Sequence, residues 1–272
     1  MSQTPTRVRV PDLIKRKRTG EKICVLTAYD ATMARLLDQA GMDVLLVGDS
    51  LGMVIQGYDT TIPVTLEAMI HHSRAVANGA RRALVVADMP FLTFQVSPDD
   101  AVRNAGRLMQ EGGAAAVKME GGAERAGTVR RVVEAGIPVM GHVGFTPQAI
   151  HRIGGFRTVG KTEREAEDLL RDARALEQAG AFSIVLECMP AAVARSITAD
   201  VSIPTIGIGA GPHCDGQVLV SYDAFGLYDQ LTPRYVKQYA KLGAEMVDAA
   251  KEYISEVQQG RFPAAEQAAG RS

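Results

Sequence analysis

Short apolar runs recur along the chain, and each is followed by a stretch with helical spacing. The runs cover residues 23–27 (ICVLT), 44–47 (VLLV), 83–87 (ALVVA), 114–119 (AAAVKM), 137–140 (IPVM), 182–186 (FSIVL), 204–208 (PTIGI) and 218–220 (VLV). They are rich in Val, Ile and Leu without strict polar alternation, which predicts strands covered on both faces, as in a parallel sheet flanked by helices. Ser97, Pro98, Asp99 and Asp100 supply an N-cap, a first-turn proline and a carboxylate able to reach back. Ala101, Val102, Ala105, Leu108 and Met109 then follow at helical spacing until Gly112 and Gly113. Thr162 and Glu165 form a second capping box, ahead of Ala166, Leu169, Leu170, Ala173 and Leu176, with Gly180 as the stop. Thr232-Pro233 predicts the start of a long C-terminal helix reaching about Gln258, and the Ala-, Gly- and Gln-rich tail from about residue 260 is expected to fray.

Eight candidate strands with helices between them predict a single α/β domain over residues 1–272, a closed (β/α)8 (TIM) barrel. An open doubly wound sheet is the alternative. The length of 272 residues suits either, since α/β barrels often reach ~250 residues as one domain. Two glycine-containing connections, 50–61 and 141–161, exceed a minimal barrel, and such loops belong on its catalytic face. The stretch from Gly144 to Gly160 is expected to move more than the barrel and to cover the site or take part in access of a co-substrate.

Composition removes several partners. A net charge of −1 gives no electrostatic case for nucleic acid or an anionic membrane, and the absence of tryptophan leaves little to stack bases on. Cys24, Cys188 and Cys214 form no CxxC pair and read as free thiols in a reducing compartment. The N-terminus lacks a secretory apolar core, and no uncharged apolar run approaches the ~20 residues of a membrane span. The expectation is a soluble cytoplasmic protein acting on small molecules.

Polar residues at the ends of these runs carry the chemistry. Asp49 and Ser50 follow the second run and Asp88 the third; Lys118 and Glu120 lie two apart on one face of the fourth. His142 ends the fifth and Glu187 the sixth. Singly, an Asp here can cap a turn, Lys118 can pair with Glu120, and His142 can be a structural histidine. Together at one barrel mouth, they would cost several kcal/mol to bury without purpose. Asp49, Asp88 and Glu120 are hard oxygen donors that repel one another unless a cation joins them, and they favour Mg2+. Such a metal suits a 2-oxo acid, which chelates through its keto and carboxylate oxygens, and it stabilises the enolate formed on proton removal. The stretch 207–212 (GIGAGP) reads either as tight turns or as a phosphate site; His71-His72 reads as helix surface, and the basic run 15–18 as a solvated face.

The blocks VGDSLGM (47–53), ADMPF (87–91), VKMEGG (117–122), GHVGFTPQ (141–148), LECMP (186–190) and IGIGAGPHCDGQVLV (206–220), with TAYDA (27–31), resemble those of ketopantoate hydroxymethyltransferases, colinear from about residue 10 to 260. The resemblance implies transfer of a one-carbon unit from 5,10-methylenetetrahydrofolate to 3-methyl-2-oxobutanoate, giving 2-dehydropantoate for pantothenate synthesis. It implies a Mg2+-dependent barrel in a large homo-oligomer, commonly a decamer. It places the metal ligands on Asp49, Asp88 and Glu120, and oxo-acid contacts on Asp49, Ser50, Asp88 and Lys118. It places the proton acceptor on Glu187, with His142 close by as a rival base. A related metal-dependent oxo-acid lyase or mutase, and a non-catalytic oxo-acid-binding barrel, are the competing readings.

Overall fold

Eight parallel strands close into a barrel in sequence order: β1 (Ile23–Thr27), β2 (Val44–Val47), β3 (Leu84–Asp88), β4 (Ala116–Glu120), β5 (Val139–Gly144), β6 (Ser183–Glu187), β7 (Thr205–Ile208) and β8 (Gly216–Leu219). β8 pairs with β1 and completes the ring, which decides for the barrel against the open sheet. The computed structural model describes residues 6–230 and 233–268. The chain divides into two compact units, Met1–Val220 and Ser221–Ser272, and all eight strands lie in the first.

Local signals place the helices. Ser97 Oγ accepts from the Asp100 amide, and Pro98 opens the helix Pro98–Gln110. The reciprocal capping box of Thr162 and Glu165 opens the helix Glu163–Gln178. Both satisfy amide donors that a helix start otherwise leaves unpaired. β3, β4 and β6 run slightly later than the apolar runs suggest, because each continues into its polar end residue (Asp88, Glu120, Glu187). β5 continues through His142 to Gly144, β7 ends with its run at Ile208, and β8 begins two residues before its run.

Only half of the basic run is the solvated face expected of it: Lys15 and Arg18 are exposed, but Arg16 and Lys17 are half-buried. The helix Val10–Thr19 buries Leu13 among Ile23, Val25, Val44, Leu84 and Ile206 of the barrel core. Arg16 pairs with Asp43, and Lys17 Nζ donates to Asp215 Oδ2 and the Thr198 carbonyl, each at 2.8 Å. Snorkelling explains the difference, since the long stems of these cations cover apolar surface while their heads meet acids. Asp43 also accepts from the Cys24 amide at 3.0 Å and from Arg82 at 3.0 Å. Burial alone would raise its carboxyl, yet the Cys24 amide and the two guanidinium groups hold it below its ordinary value. Asp43→Ala would leave a half-buried amide and Arg16 without their acceptor. It is expected to lower stability by about 2–4 kcal/mol, read by urea denaturation. A change under about 0.5 kcal/mol, as for an ordinary surface substitution, would refute this role.

In the second unit the long helix spans Leu242–Gln258. Its end matches the expectation, but its start is later than Pro233; Thr232 itself lies outside the described residues. The reason is competition for amides. Tyr239, Leu242 and Gly243 donate to the carbonyls of Ala224, Phe225 and Gly226 instead of to a preceding helical turn. The expected fraying concerns a tail whose residues from 269 onward lie outside the described residues.

Candidate active site

Alternation along the strands builds the site. Val25, Leu46, Val86, Ala116, Met140 and Val185 belong to the apolar core of the barrel. Two residues further on, each strand presents the same face, now carrying Thr27, Gly48, Asp88, Lys118, His142 and Glu187. A polar layer thus lies one pleat above the core, at the C-terminal ends of the strands where barrels place their chemistry. Glu120 shares that face two residues beyond Lys118.

The six strand-end residues converge. Lys118 Nζ lies 3.0 Å from Asp88 Oδ1 and 3.3 Å from His142 Nδ1. His142 stands between two acids, with Nδ1 3.5 Å from Glu120 Oε1 and Nε2 3.1 Å from Glu187 Oε2. The Asp49 amide donates to Asp88 Oδ2 at 3.1 Å. Asp49, Asp88, Lys118, Glu120 and His142 are all buried. Ser50 sits beside this cluster, its Oγ 2.9 Å from the Tyr29 hydroxyl.

Burial and mutual repulsion set the charges. Desolvation, with Asp88 and Glu120 nearby, pushes the Asp49 carboxyl well above its usual range. Desolvation also raises Asp88, although Lys118 opposes it. Lys118 stays protonated: burial works against its charge, but Asp88, Glu120 and Asp49 outweigh it. Burial and Lys118 both lower His142, yet Glu120 and Glu187 prevail and push it up to about 9. The role of Nδ1 in the 3.3 Å contact with Lys118 depends on the tautomer: unprotonated it accepts from the ammonium, whereas protonated towards Glu120 it cannot.

This donor set fits a divalent cation. Asp88 Oδ1 and Glu120 Oε1 are buried oxygens without a hydrogen bond; their contacts with Lys118 and His142 are ion pairs lacking hydrogen-bond alignment. With every group ionised, the carboxylates of Asp49, Asp88, Glu120 and Glu187 outnumber the cations Lys118 and His142 by two charges. Among the described residues, however, no three acid, His or Cys side chains form a ready metal cage. Mg2+ commonly takes only one or two carboxylates and completes its octahedron with waters and substrate oxygens.

Sequence reasoning overlooked Gln148. From the connection after β5, its side chain donates to Asp49 Oδ2 and to the Met89 carbonyl, each at 2.9 Å, and its amide donates to Glu120 Oε2 at 3.0 Å. Gln95 Nε2 in turn donates to Gln148 Oε1 at 3.0 Å. The connection expected to cover the site therefore contributes to it. The signal was a glutamine ending the block GHVGFTPQ, but a lone Gln in a loop has no chemistry that singles it out. Tyr29 was also overlooked; His72 Nδ1 lies 2.7 Å from its carbonyl, so this half of the histidine pair anchors a residue at the site while His71 is exposed.

Backbone geometry holds Glu187 in place. Gly144 has φ of +100°, and a Cβ there would collide with the Glu187 carbonyl oxygen. Cys188, directly after Glu187, has φ of 49°, a left-handed conformation that costs roughly 1–3 kcal/mol and clusters at functional sites. The glycine stretch from within β7 onward fits tight packing: a Cβ on Gly207 in the strand would meet Cys214 Sγ at 2.9 Å, and one on Gly211 after it would meet Ala191 Cβ at 2.5 Å.

Comparison with known proteins bears on the chemistry. The family model for ketopantoate hydroxymethyltransferase matches residues 7–265. A protein of Moorella thermoacetica named 3-methyl-2-oxobutanoate hydroxymethyltransferase is 57% identical over 258 residues, covering 95% of this chain and 96% of its own. One of the same name from Heliobacterium modesticaldum is 54% identical over 264 residues, covering 97% and 96%. Among solved structures, a phosphonopyruvate hydrolase complexed with oxalate and Mg2+ aligns with a TM-score of 0.63 at 14% identity, covering 97% of this chain and 91% of its own. A 2,3-dimethylmalate lyase aligns with a TM-score of 0.59 at 18% identity, covering 96% and 91%. At such identities these structures share the barrel and nothing further is carried over from them.

Proposed function

The chain belongs to the ketopantoate hydroxymethyltransferase family, and from that premise we propose that it joins a one-carbon unit from 5,10-methylenetetrahydrofolate to C3 of 3-methyl-2-oxobutanoate at the Asp49–Asp88–Lys118–Glu187 cluster. The observation carrying this reading is the convergence of acids, a buried lysine and a second acid across His142 at one barrel mouth. The family match favours it over the lyase and mutase reading, and over a non-catalytic barrel.

In this reading Lys118, Asp88, Asp49 and the Ser50 amide orient the oxo acid. Asp49 and Asp88 would hold magnesium, with Glu120 nearby or acting through water, and the ion would supply positive charge to stabilise the enolate. Glu187 takes the C3 proton, and the released electron pair forms the new carbon–carbon bond to the donated methylene. Water supplies the hydroxyl of 2-dehydropantoate. Both C–N bonds that held the methylene to the folate break, and two hydrogens, one from C3 and one from water, end on the two nitrogens they leave. His142, 3.1 Å from Glu187 and raised by Glu120 and Glu187, favours its protonated form and orients Glu187 instead of serving as the base.

The test has two parts. The chain with Mg2+ is expected to exchange the C3 proton of the oxo acid into deuterated water without folate, and to make 2-dehydropantoate when methylenetetrahydrofolate is added. Asp88→Ala is expected to weaken Mg2+ binding at least tenfold and to lower activity with it. Unaltered metal dependence in that variant would remove Asp88 from the ligand set.

Homo-oligomerisation, as a decamer, is part of the proposal. The helix Leu242–Gln258 has no buried residue, and Met246, Val247, Tyr253, Ile254 and Val257 are exposed on it. Their spacing gathers them on one face, and contiguous apolar surface of this kind marks an interface. Met246→Glu combined with Ile254→Glu is expected to shift sedimentation to smaller species. A monomer at micromolar concentration in the unsubstituted chain would refute the assembly. Among the described residues no helix is long and apolar enough to cross a membrane; a cytoplasmic location fits the proposed substrates.

A further inference from the structure

A cavity of about 390 Å3 has Glu120 and Gln148 in its lining, together with Ile62, Phe91, Arg125 and Arg152. Its volume lies within the ~300–1,000 Å3 typical of small-molecule sites. It shares Glu120 and Gln148 with the acid cluster, so it opens directly beside that cluster. A 3-methyl-2-oxobutanoate molecule is small and anionic, and the Lys118 cluster already matches it; this chamber instead combines apolar walls with cations. Those cations are available. In the adjoining cavity of about 320 Å3, Arg157 and Arg171 are paired with Glu165 and Asp168. Arg125 and Arg152 have no ion pair or hydrogen bond of their side chains among the described residues. Glu124, the other acid at this rim, accepts from the Gly122 amide at 3.2 Å. Arg125 is half-buried and Arg152 exposed, so cationic charge runs from the chamber outward to solvent.

A methylene donor must come within about 3–3.5 Å of the carbon it alkylates, which requires its flat ring system to lie beside the oxo acid and its tail to point away. We infer that this chamber receives the reduced folate, with the ring system against Ile62 and Phe91 and the glutamate carboxylates on Arg125 and Arg152. The inference rests on the one-carbon transfer proposed above. Arginine suits the tail because its planar fork grips carboxylates at two points. The connection after β5, which supplies Arg152 and Gln148, then touches both substrates: Gln148 at Asp49 and Glu120, Arg152 at the folate tail.

Calorimetric titration of the full chain, with Mg2+ and oxo acid present, tests this with 5-formyltetrahydrofolate as a stable reduced folate. Arg125→Ala and Arg152→Ala are each expected to weaken binding about tenfold, with Arg152→Lys recovering part of the loss. Ala149→Trp, which fills the chamber from its wall, is expected to abolish binding. Thermal melting of each variant reports folding. A folate analogue without glutamate should bind the unsubstituted chain weakly and be indifferent to the arginine changes. Unchanged folate affinity in either the arginine variants or folded Ala149→Trp overturns the inference. Proton exchange at C3 in the unsubstituted chain separates the two levels. Exchange together with unaffected folate binding in the variants overturns the chamber alone, whereas absence of both exchange and folate binding overturns the underlying reading and the chamber with it.

Discussion

Lys118→Met is expected to lower kcat/KM by about 10²–10³-fold while leaving the barrel folded. Lys118 lies at the hydrogen-bonded register of β4 opposite Asp88, with its ammonium 3.0 Å from that carboxylate and buried from water. A fixed cation in a water-poor site stabilises developing negative charge far more than one in solvent, and removing one such group typically costs ~10²–10³-fold in kcat. The methionine stem occupies similar space above the apolar core, and Asp88, whose carboxyl burial already raises, can take a proton once its partner is gone. The fold therefore has a way to relax. Metal binding discriminates between roles: without a competing ammonium, Mg2+ affinity should hold or rise, although turnover falls. Near-normal kcat/KM would remove Lys118 from the oxo-acid site, and a parallel loss of metal affinity would reassign it to supporting the ligands.

The barrel was legible because each apolar run is bounded by polar punctuation, and β1 and β2 begin and end where the runs do. The convergence of Asp49, Asp88, Lys118, Glu120, His142 and Glu187 was legible for the same reason: a barrel brings successive strand ends to one mouth whatever their separation in sequence. Loops lack that rule. Gln148 reaches Asp49 across 99 residues through a turn whose path no periodicity encodes. The late start of the helix Leu242–Gln258 was hidden because Thr232-Pro233 is a sound N-terminal signal that tertiary amide pairing to residues 224–226 overrides. Arg16 and Lys17 read as solvated from composition, since their partners Asp43 and Asp215 come from distant strand ends.

Glu187→Gln is expected to abolish C3 proton exchange, a loss of about 10²–10⁴-fold, while the oxo acid still binds. The reaction must remove a weakly acidic proton next to the keto carbon, and positioned bases contribute on that order. The choice of base follows from what each acid already does. Asp49 and Asp88 are hydrogen-bonded to each other through the Asp49 amide, and Asp88 is also paired with Lys118. As donors to a cation they would be weak bases. Glu120 is tied to the Gln148 amide. His142, flanked by acids that push it up to about 9, favours the protonated form, which has no free ring nitrogen with which to accept a proton. Glu187 remains: partly exposed at the end of β6, across His142 from Glu120, and fixed by the left-handed Cys188 and the close approach of Gly144. Glutamine preserves its size, so the β6 end should not rearrange. His142→Asn removes the ring that orients Glu187 but leaves the carboxylate, so exchange should slow by a smaller factor. Proton exchange measured by NMR in deuterated water, with Mg2+ present and folate absent, ranks the two variants directly. Faster exchange in Glu187→Gln than in His142→Asn would transfer the proton to the histidine.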